Sequence, residues 1–354
     1  MKVIHLPSNV GGMAWGLAQG ERLLGLDATV LVCSMNWLNY KADKILYNSD
    51  RYLIYKLVKR LEAFFQIRNK YDIYHFNSGA TLLDFPNIGL HLLDISHYNG
   101  KNIITFNGCD ARLKYETMNR VNVSACHEKD CYEGLCNKYK IEEIKKERIK
   151  KISRYVKHVF AVNPDLMYNL PVNKTSFLPY AVAGWNDIEY VPFKVKKNRI
   201  KIVHAPTNRG AKGSKYIIAA LDNLSRKYKY LEINIIEKVP YKKALELYIQ
   251  ADIVVDQVLI GWYGGLGVEV MKMGKPLAVF IREEDLKFIP TQMAQDLKET
   301  IINVNKLNIE SELAKYIENI DLLKAKSEAS LYYVHRWHDP KYVASITKNI
   351  YESV

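Results

Sequence analysis

The stretch Val203-His204-Ala205-Pro206-Thr207-Asn208-Arg209-Gly210-Ala211-Lys212-Gly213-Ser214 passes from an apolar run into a glycine-containing turn and then into a segment of helical period. Strand, turn and helix in that order open a βα unit of a parallel sheet. The turn sets two cations, Arg209 and Lys212, beside a helix N-terminus, where unpaired N–H groups and the macrodipole already favour anions. A diphosphate fits such a place. An ordinary strand-to-helix turn with solvated basic side chains is the plainer reading of the same residues.

A second segment has the same grammar. The strand-like Asp252-Ile253-Val254-Val255-Asp256-Gln257 leads to Gly261-Trp262-Tyr263-Gly264-Gly265-Leu266-Gly267-Val268-Glu269-Val270-Met271-Lys272-Met273-Gly274-Lys275-Pro276. Clustered glycines let backbone amides approach a ligand closely. Glu269, near the start of the following helix, can accept hydrogen bonds from ribose hydroxyls, or it can serve as a helix cap or a buried ion-pair member. Gly274 stops that helix and Pro276 opens the next strand.

Outward from these segments, short β-branched runs alternate with longer helical stretches along the whole chain, the pattern of parallel sheets covered on both faces. In the first half, strands are expected at Lys2 to Leu6, Ala28 to Cys33, Ile73 to Phe76, Ile103 to Phe106 and His158 to Val162. Helices are expected at Ala14 to Leu24 and Arg51 to Ile67. A second series has strands at Ile200 to His204, Leu231 to Ile236, Ile253 to Val255 and Pro276 to Phe280. Its helices are expected at Lys212 to Tyr228, Lys242 to Gln250 and Val268 to Met273, with helical closing segments after Ile309. The periodicity lapses between Pro179 and Lys197, where a linker is expected. With 354 residues, two domains are the prior. The expected division is 1–180, 181–335 and a closing helix, 336–354. Two successive open α/β sheets should hold a ligand in the crevice where strand C-termini and helix N-termini converge.

The two motifs, taken in order, resemble the nucleotide-binding half of retaining glycosyltransferases of family 4, of the GT-B type. The similarity extends over nearly the whole chain, including Gly11-Gly12-Met13-Ala14 after the first strand and the last helices. It implies an α/β fold of two Rossmann-like doubly wound domains facing a central cleft, with the last helix crossing back to the first domain. It implies a nucleoside-diphosphate sugar as donor, with Arg209 and Lys212 on the diphosphate and Glu269 on the ribose. It places Gly11 and Gly12 under the donor phosphates, and Gly264, Gly265, Leu266 and Gly267 along the donor pocket. The family often has a glutamate eight residues before Glu269, and here that residue is Gly261. The sugar-holding role is then vacant, shared by Asp256 or Tyr263, or unnecessary for this donor.

In the first half, Tyr71 to Gly79 and Ile103 to Arg112 are strand-then-loop segments that resemble the family's acceptor-side loops. A histidine often precedes the glycine there, and Asn107 takes its place. Asp110 and Arg112 are candidates to orient acceptor hydroxyls or hold the donor sugar; a local Asx-turn with an ion pair accounts for them as well. His75 is either part of that side or a strand-end histidine. Family resemblance implies front-face transfer, in which the departing phosphate oxygen takes the acceptor's proton and Arg209, Lys212 and helix N-termini stabilise the diphosphate. Arg209, Lys212 and Asp110 are the candidate catalytic residues, with no metal required.

Cys126, Cys131, Cys136 and His127 lie within eleven residues, with Cys109 upstream. Such residues can surround a structural zinc, although the paired CxxC pattern is missing; reduced thiols are the alternative. Ile141 to Arg154 reads as an amphipathic basic helix, either docked on the first domain or in contact with an anionic membrane that carries a lipid-linked acceptor. A formal charge of +13 favours anionic partners. No nucleic-acid-binding motif accompanies it. No run of about 18 uncharged apolar residues appears, and the first residues reach Pro7 and Asn9 before a signal core can form. A cytoplasmic protein, peripheral at the inner membrane face, is expected. The functional expectation is a retaining glycosyltransferase acting on a glycan, lipid-linked or other hydroxyl acceptor in surface polysaccharide or glycolipid synthesis. The alternatives are a nucleotide-sugar epimerase of the same fold, or a non-catalytic nucleotide-sugar-binding partner of another transferase.

Overall fold

The computed structural model describes residues 1–35, 38–85, 89–194 and 199–354, apart from the side chain of Tyr139. The chain divides into two compact units. The first comprises Met1–Leu113, Lys140–Trp185 and His338–Val354, and the second Lys114–Tyr139 and Asn186–Trp337.

The first unit opens with β1 (Lys2–Leu6), α1 (Met13–Leu23), β2 (Asp27–Val32), β3 (Lys44–Ile45), α2 (Leu53–Ile67), β4 (Ile73–Asn77) and β5 (Lys101–Phe106). The chain then leaves for α3 (Lys114–Arg120) and two 3-10 turns, and returns with α4 (Tyr139–Tyr155), β6 (His158–Ala161) and β7 (Thr175–Phe177). These strands form one sheet in the order β3-β2-β1-β4-β5-β6-β7, and every pairing is parallel. β4 is buried along its whole length and β5 at all but its first residue. A parallel sheet is covered on both faces, so the polar side chains His75 and Asn77 of β4 and Asn102 and Thr105 of β5 are buried along with their apolar neighbours.

The second unit follows with β8 (Ile200–His204), α5 (Arg209–Lys212), α6 (Ser214–Lys227), β9 (Leu231–Ile235), α7 (Tyr241–Tyr248), β10 (Ile253–Val255), α8 (Gly265–Lys272), β11 (Leu277–Val279), α9 (Thr291–Thr300), β12 (Ile302–Asn303), α10 (Ile309–Glu318) and α11 (Ile320–Trp337). Its sheet runs β12-β11-β10-β8-β9 and is parallel throughout. The order reverses at β8, which has β9 on one side and β10 on the other. Loops leaving β8 and β10 therefore diverge from one edge, the place where open α/β sheets hold ligands.

The chain ends with α12 (Pro340–Ser353), which belongs to the first unit. Its Tyr351 donates to Glu21 of α1 at 2.8 Å and meets Nδ1 of His75 in β4 at 2.5 Å.

Several expectations are revised. The boundary falls after Trp185 and again after Trp337, and residues 114–139 belong to the second unit. Long-range pairing holds that excursion: Glu128 bonds Lys215 and Tyr216, and the amide of Ala125 donates to the carbonyl of Leu259. Of the linker expected at 179–197, residues 195–197 lie outside the described residues. The helix expected from Lys212 to Tyr228 is α6, which starts at Ser214; Lys212 instead ends the short α5, and Gly213, with a left-handed φ of 73°, separates the two. β3, β7 and β12 have two or three residues each and were too short to show a period.

Candidate functional site

In the second unit, β8 delivers His204 to the sheet edge, and the chain turns through Asn208 into α5. The Asn208 side chain caps α5 by accepting from the amide of Ala211 at 2.8 Å, as a short polar side chain at this position should. Its oxygen also accepts from the amide of Tyr132 at 3.3 Å. His204 donates from Nδ1 to the carbonyl of Val255, and its Nε2 accepts from the Ser214 hydroxyl, both at 2.8 Å. Burial lowers its pKa to about 4, so it is neutral and ties β8 to β10 and to α6.

The two cations of the opening motif have different surroundings. Arg209, 59% exposed, forms a two-pronged pair with Glu237, which follows β9, at 2.8 and 2.6 Å. Water screens that pair, and a ligand anion can exchange for Glu237. Lys212 is mostly buried and pairs with the fully buried Asp256, which follows β10. The second oxygen of Asp256 is buried without a hydrogen-bond partner. The structure therefore joins Lys212 and Asp256 across the β8–β10 reversal.

Glu269 lies on α8, buried, and accepts from the Tyr241 hydroxyl at 2.8 Å. Burial, with the charge of Asp256 adding to it, pushes its carboxyl up to about 8, against the bond from Tyr241. Gly264, Gly265 and Leu266 are half-buried at the start of α8. Gly264 has no side-chain cap to offer this helix end.

Gly261, where the family often has glutamate, has a φ of 90°. A Cβ built there would come within 2.6 Å of the Arg282 guanidinium. That guanidinium is buried, pairs with Asp285 at 3.0 Å and donates to the carbonyl of Val123 at 2.9 Å. A side chain at 261 would strain the backbone and push the buried Arg282 guanidinium out of its pairs. Tyr263, one of the two residues expected to share the missing role, is fully buried with its hydroxyl 2.7 Å from that of Tyr333. It packs inward, and Asp256 is the member of that pair at the strand edge.

In the first unit, Gly11 and Gly12 follow β1 with φ of 60° and 75°. A Cβ on Gly11 would fall 2.0 Å from the Tyr180 hydroxyl, and one on Gly12 would fall 2.6 Å from Cβ of Ala183. Asp110 closes an Asx-type turn, accepting from the amides of Asn107 at 2.9 Å and Gly108 at 2.7 Å. Burial raises its pKa against those two bonds. Arg112 is buried and forks onto Asp165 at 2.6 and 3.0 Å. The carboxylate it forks onto is thus Asp165, 53 residues further along the chain. Asn107 donates to the Ser78 hydroxyl at 2.8 Å, while its own side-chain oxygen is buried without a hydrogen-bond partner.

His75 is placed differently from an acceptor-side residue. It is fully buried, with Nδ1 on Tyr351 and Nε2 2.6 Å from the Thr105 hydroxyl. Burial, aided by His5 and His158, holds its pKa well below the usual histidine range. β4 lies mid-sheet, where side chains on both faces are covered.

All five cysteines are thiols. Cys109 belongs to the first unit and Cys126, Cys131 and Cys136 to the second. Among the described residues, three metal-ligating side chains converge at His5, Glu21 and His75, and no such group contains a cysteine. That trio is a hydrogen-bonded core network: Nε2 of His5 meets Glu21 at 2.7 Å, and Glu21 also accepts from Tyr351. The expected amphipathic helix is α4, whose apolar side is docked: Ile152 is buried in the first unit's core and Ile149 packs against it.

Residues that the sequence did not single out complete the arrangement. Glu237 and Tyr241 flank the loop between β9 and α7. Gln257 fastens the loop after β10, accepting from the amides of Leu259 and Ile260 at 2.8 and 2.6 Å and donating to the carbonyl of Phe280 at 2.8 Å. A position just past a strand is the one local signal that Glu237 and Gln257 offered, and Tyr241, at the first position of α7, offered none.

Comparison with solved structures gives full-length matches. Sucrose-phosphate synthase from Thermosynechococcus elongatus aligns over 99% of this chain and 98% of its own, at 13% identity and a TM-score of 0.62. The Anabaena protein HepE in complex with UDP-glucose aligns over 100% and 99%, at 10% identity and 0.64. UDP-GlcNAc 2-epimerase from Neisseria meningitidis bound to UDP-GlcNAc aligns over 100% of both chains, at 12% identity and 0.55. The fold is therefore the two-domain α/β architecture of the GT-B type, shared by glycosyltransferases and by UDP-GlcNAc 2-epimerases. At these identities the likeness is one of fold. No protein-family model matches the chain, so the narrower resemblance to family 4 has no support from that side. No curated protein matches it either.

Proposed function

We propose that this protein is a glycosyltransferase that takes a sugar, with retention, from a nucleoside-diphosphate sugar to a hydroxyl acceptor. The reading rests on one cluster in the second unit. Arg209 and Lys212 follow β8, Asp256 follows β10, and Glu269 lies on a glycine-led helix at the same reversal of strand order. That is the chemistry a ribose diphosphate needs, with cations for the phosphates and a carboxylate for the hydroxyls. Solved proteins of this fold carry UDP-glucose or UDP-GlcNAc.

In this reading the exposed Arg209–Glu237 pair holds its cation until a diphosphate takes the place of that carboxylate, while Lys212 stays fixed by Asp256 and turns its remaining N–H groups to the diphosphate. The departing phosphate oxygen accepts the acceptor's proton, and Arg209, Lys212 and the α8 N-terminus stabilise the charge that develops on it. No metal is needed for that step. Asn107, Asp110 and Arg112 of the first unit serve the acceptor or sugar side, through turn residues rather than His75. The acceptor is a glycan or lipid-linked hydroxyl, in surface polysaccharide or glycolipid synthesis at the inner face of a membrane. No helix among the described residues is long and apolar enough to cross one.

The test is a panel of nucleotide sugars offered to the purified protein with and without simple glycoside acceptors. Slow hydrolysis or transfer from one donor is expected. Lys212→Ala should lower it by about two orders of magnitude, ~3 kcal/mol of lost oxyanion stabilisation. Because that change strands the buried Asp256, the paired Lys212→Ala, Asp256→Asn variant separates lost chemistry from lost folding. Conversion of the donor to its epimer without acceptor would replace transfer by epimerisation. Tight binding of nucleoside diphosphate with no turnover of any donor would make the protein a non-catalytic partner.

A further inference from the structure

Helix α2 has two apolar faces, and the core uses one. Ala63, Phe64 and Ile67 enter the core of the first unit. On another side, Ile54, Leu57, Val58, Leu61 and Phe65 recur at helical spacing and all stand exposed, Ile54 at 77% and Phe65 at 63%. Leu53 and Tyr52 extend the patch past the helix start, 76% and 88% exposed. Isolated exposed apolar residues are ordinary; a contiguous stripe along three turns of one helix marks a surface with a partner.

The charge around the stripe says which partner. Between residues 51 and 70 there are six cations, Arg51, Lys56, Lys59, Arg60, Arg68 and Lys70, and a single carboxylate, Glu62; Arg60 turns inward onto the Tyr47 hydroxyl and the carbonyls of Leu82 and Asp84, which leaves five cations for the surface. Glu62 pairs with Lys59. Aromatic side chains flank the stripe as well: Arg51 lies over Tyr55, and Arg68 over Phe65. Two such faces brought together as a dimer would set like charges against each other. An anionic lipid surface accepts both features, the stripe in the headgroup–acyl boundary and the cations over lipid phosphates.

We propose that the exposed face of α2 docks the first unit on an anionic membrane. This gives a location to the membrane contact in the reading above, on which it rests, and moves it from α4 to α2, because the apolar side of α4 is already spent on the core. Vesicle binding is measured without donor or acceptor, so either idea can fail while the other stands.

The experiment is co-sedimentation of the full chain with vesicles of phosphatidylcholine alone or mixed with phosphatidylglycerol. Binding to the mixed vesicles, weakened by salt, is expected. The variant Ile54→Ser, Leu57→Ser, Phe65→Ser changes exposed positions, and should lower partitioning roughly tenfold or more with an unaltered circular dichroism spectrum. Exchange of Arg51, Lys56 and Lys59 for glutamine should remove the salt sensitivity. Absence of binding to phosphatidylglycerol vesicles, or undiminished binding by the serine variant, would overturn the proposal. So would a wild-type dimer in ultracentrifugation that the serine variant dissolves, since the stripe would then belong to a second copy.

Discussion

Glu269, buried on α8 with Tyr241 as donor and Asp256 as neighbour, titrates at about 8 against an ordinary value of 4.5. Two outcomes follow. The folded protein binds a proton there that the unfolded chain has released, so stability falls as pH rises from about 4.5 to about 8. Glu269→Gln removes this dependence, and in urea titrations the variant should gain on the wild type from pH 5 to pH 8 and hold a constant difference above that. Ribose hydroxyls, by contrast, donate to the ionised form and stabilise it. UDP titrated calorimetrically at pH 7, in buffers of different ionisation enthalpy, should then release up to about one proton, and Glu269→Gln should bind without that release. Equal proton release by both proteins would remove Glu269 from the ribose site.

At the scale of elements, two glycines decide how the loops leave the sheet. Gly213 separates α5 from α6, and a Cβ there would come within 2.7 Å of Cγ2 of Val258. A left-handed residue costs an L side chain roughly 1–2 kcal/mol before any clash. Gly213→Ala should therefore lower stability by at least about that much, read as a shift of the denaturation midpoint, and weaken UDP binding by displacing Lys212. Gly261→Glu introduces the residue that the resembled glycosyltransferases often have there. Were the side chain all that sets this position apart, a glutamate there would be expected to raise donor turnover. With φ at 90° and the Arg282 guanidinium in its way, the variant should instead lose stability and gain no turnover.

At the scale of the whole molecule, the chain's two ends meet inside the first unit. Glu21 of α1 accepts from Tyr351 and Thr347 of α12 and meets His5 of β1, and Tyr351 also meets His75. All of these side chains are buried. Tyr351→Phe keeps the ring and removes the hydroxyl, leaving the His75 nitrogen without that partner, at a cost of about 1–3 kcal/mol. Amide exchange in α12 should accelerate correspondingly, and protection unchanged across α12 would show that the network does not hold the helix.

Local residue order determined the alternation of strands and helices, the two glycine-led turns and the cations beside them, because periodicity and backbone freedom act over a few residues. The same reasoning bounded most strands of both sheets to within a residue or two. It could not show that residues 114–139 join the second unit, that Arg112 pairs with Asp165, that Tyr263 packs inward on Tyr333, or that Arg282 fills the space beside Gly261. Nor could it tell which apolar side of α2 meets the core and which is left bare, or that the metal-like trio lies at His5, Glu21 and His75 and contains no cysteine. Those outcomes depend on pairings between residues well separated along the chain, from 16 positions for His5 and Glu21 to 134 for Ala125 and Leu259. Packing selects them through burial and charge neutralisation, which no single stretch of sequence contains.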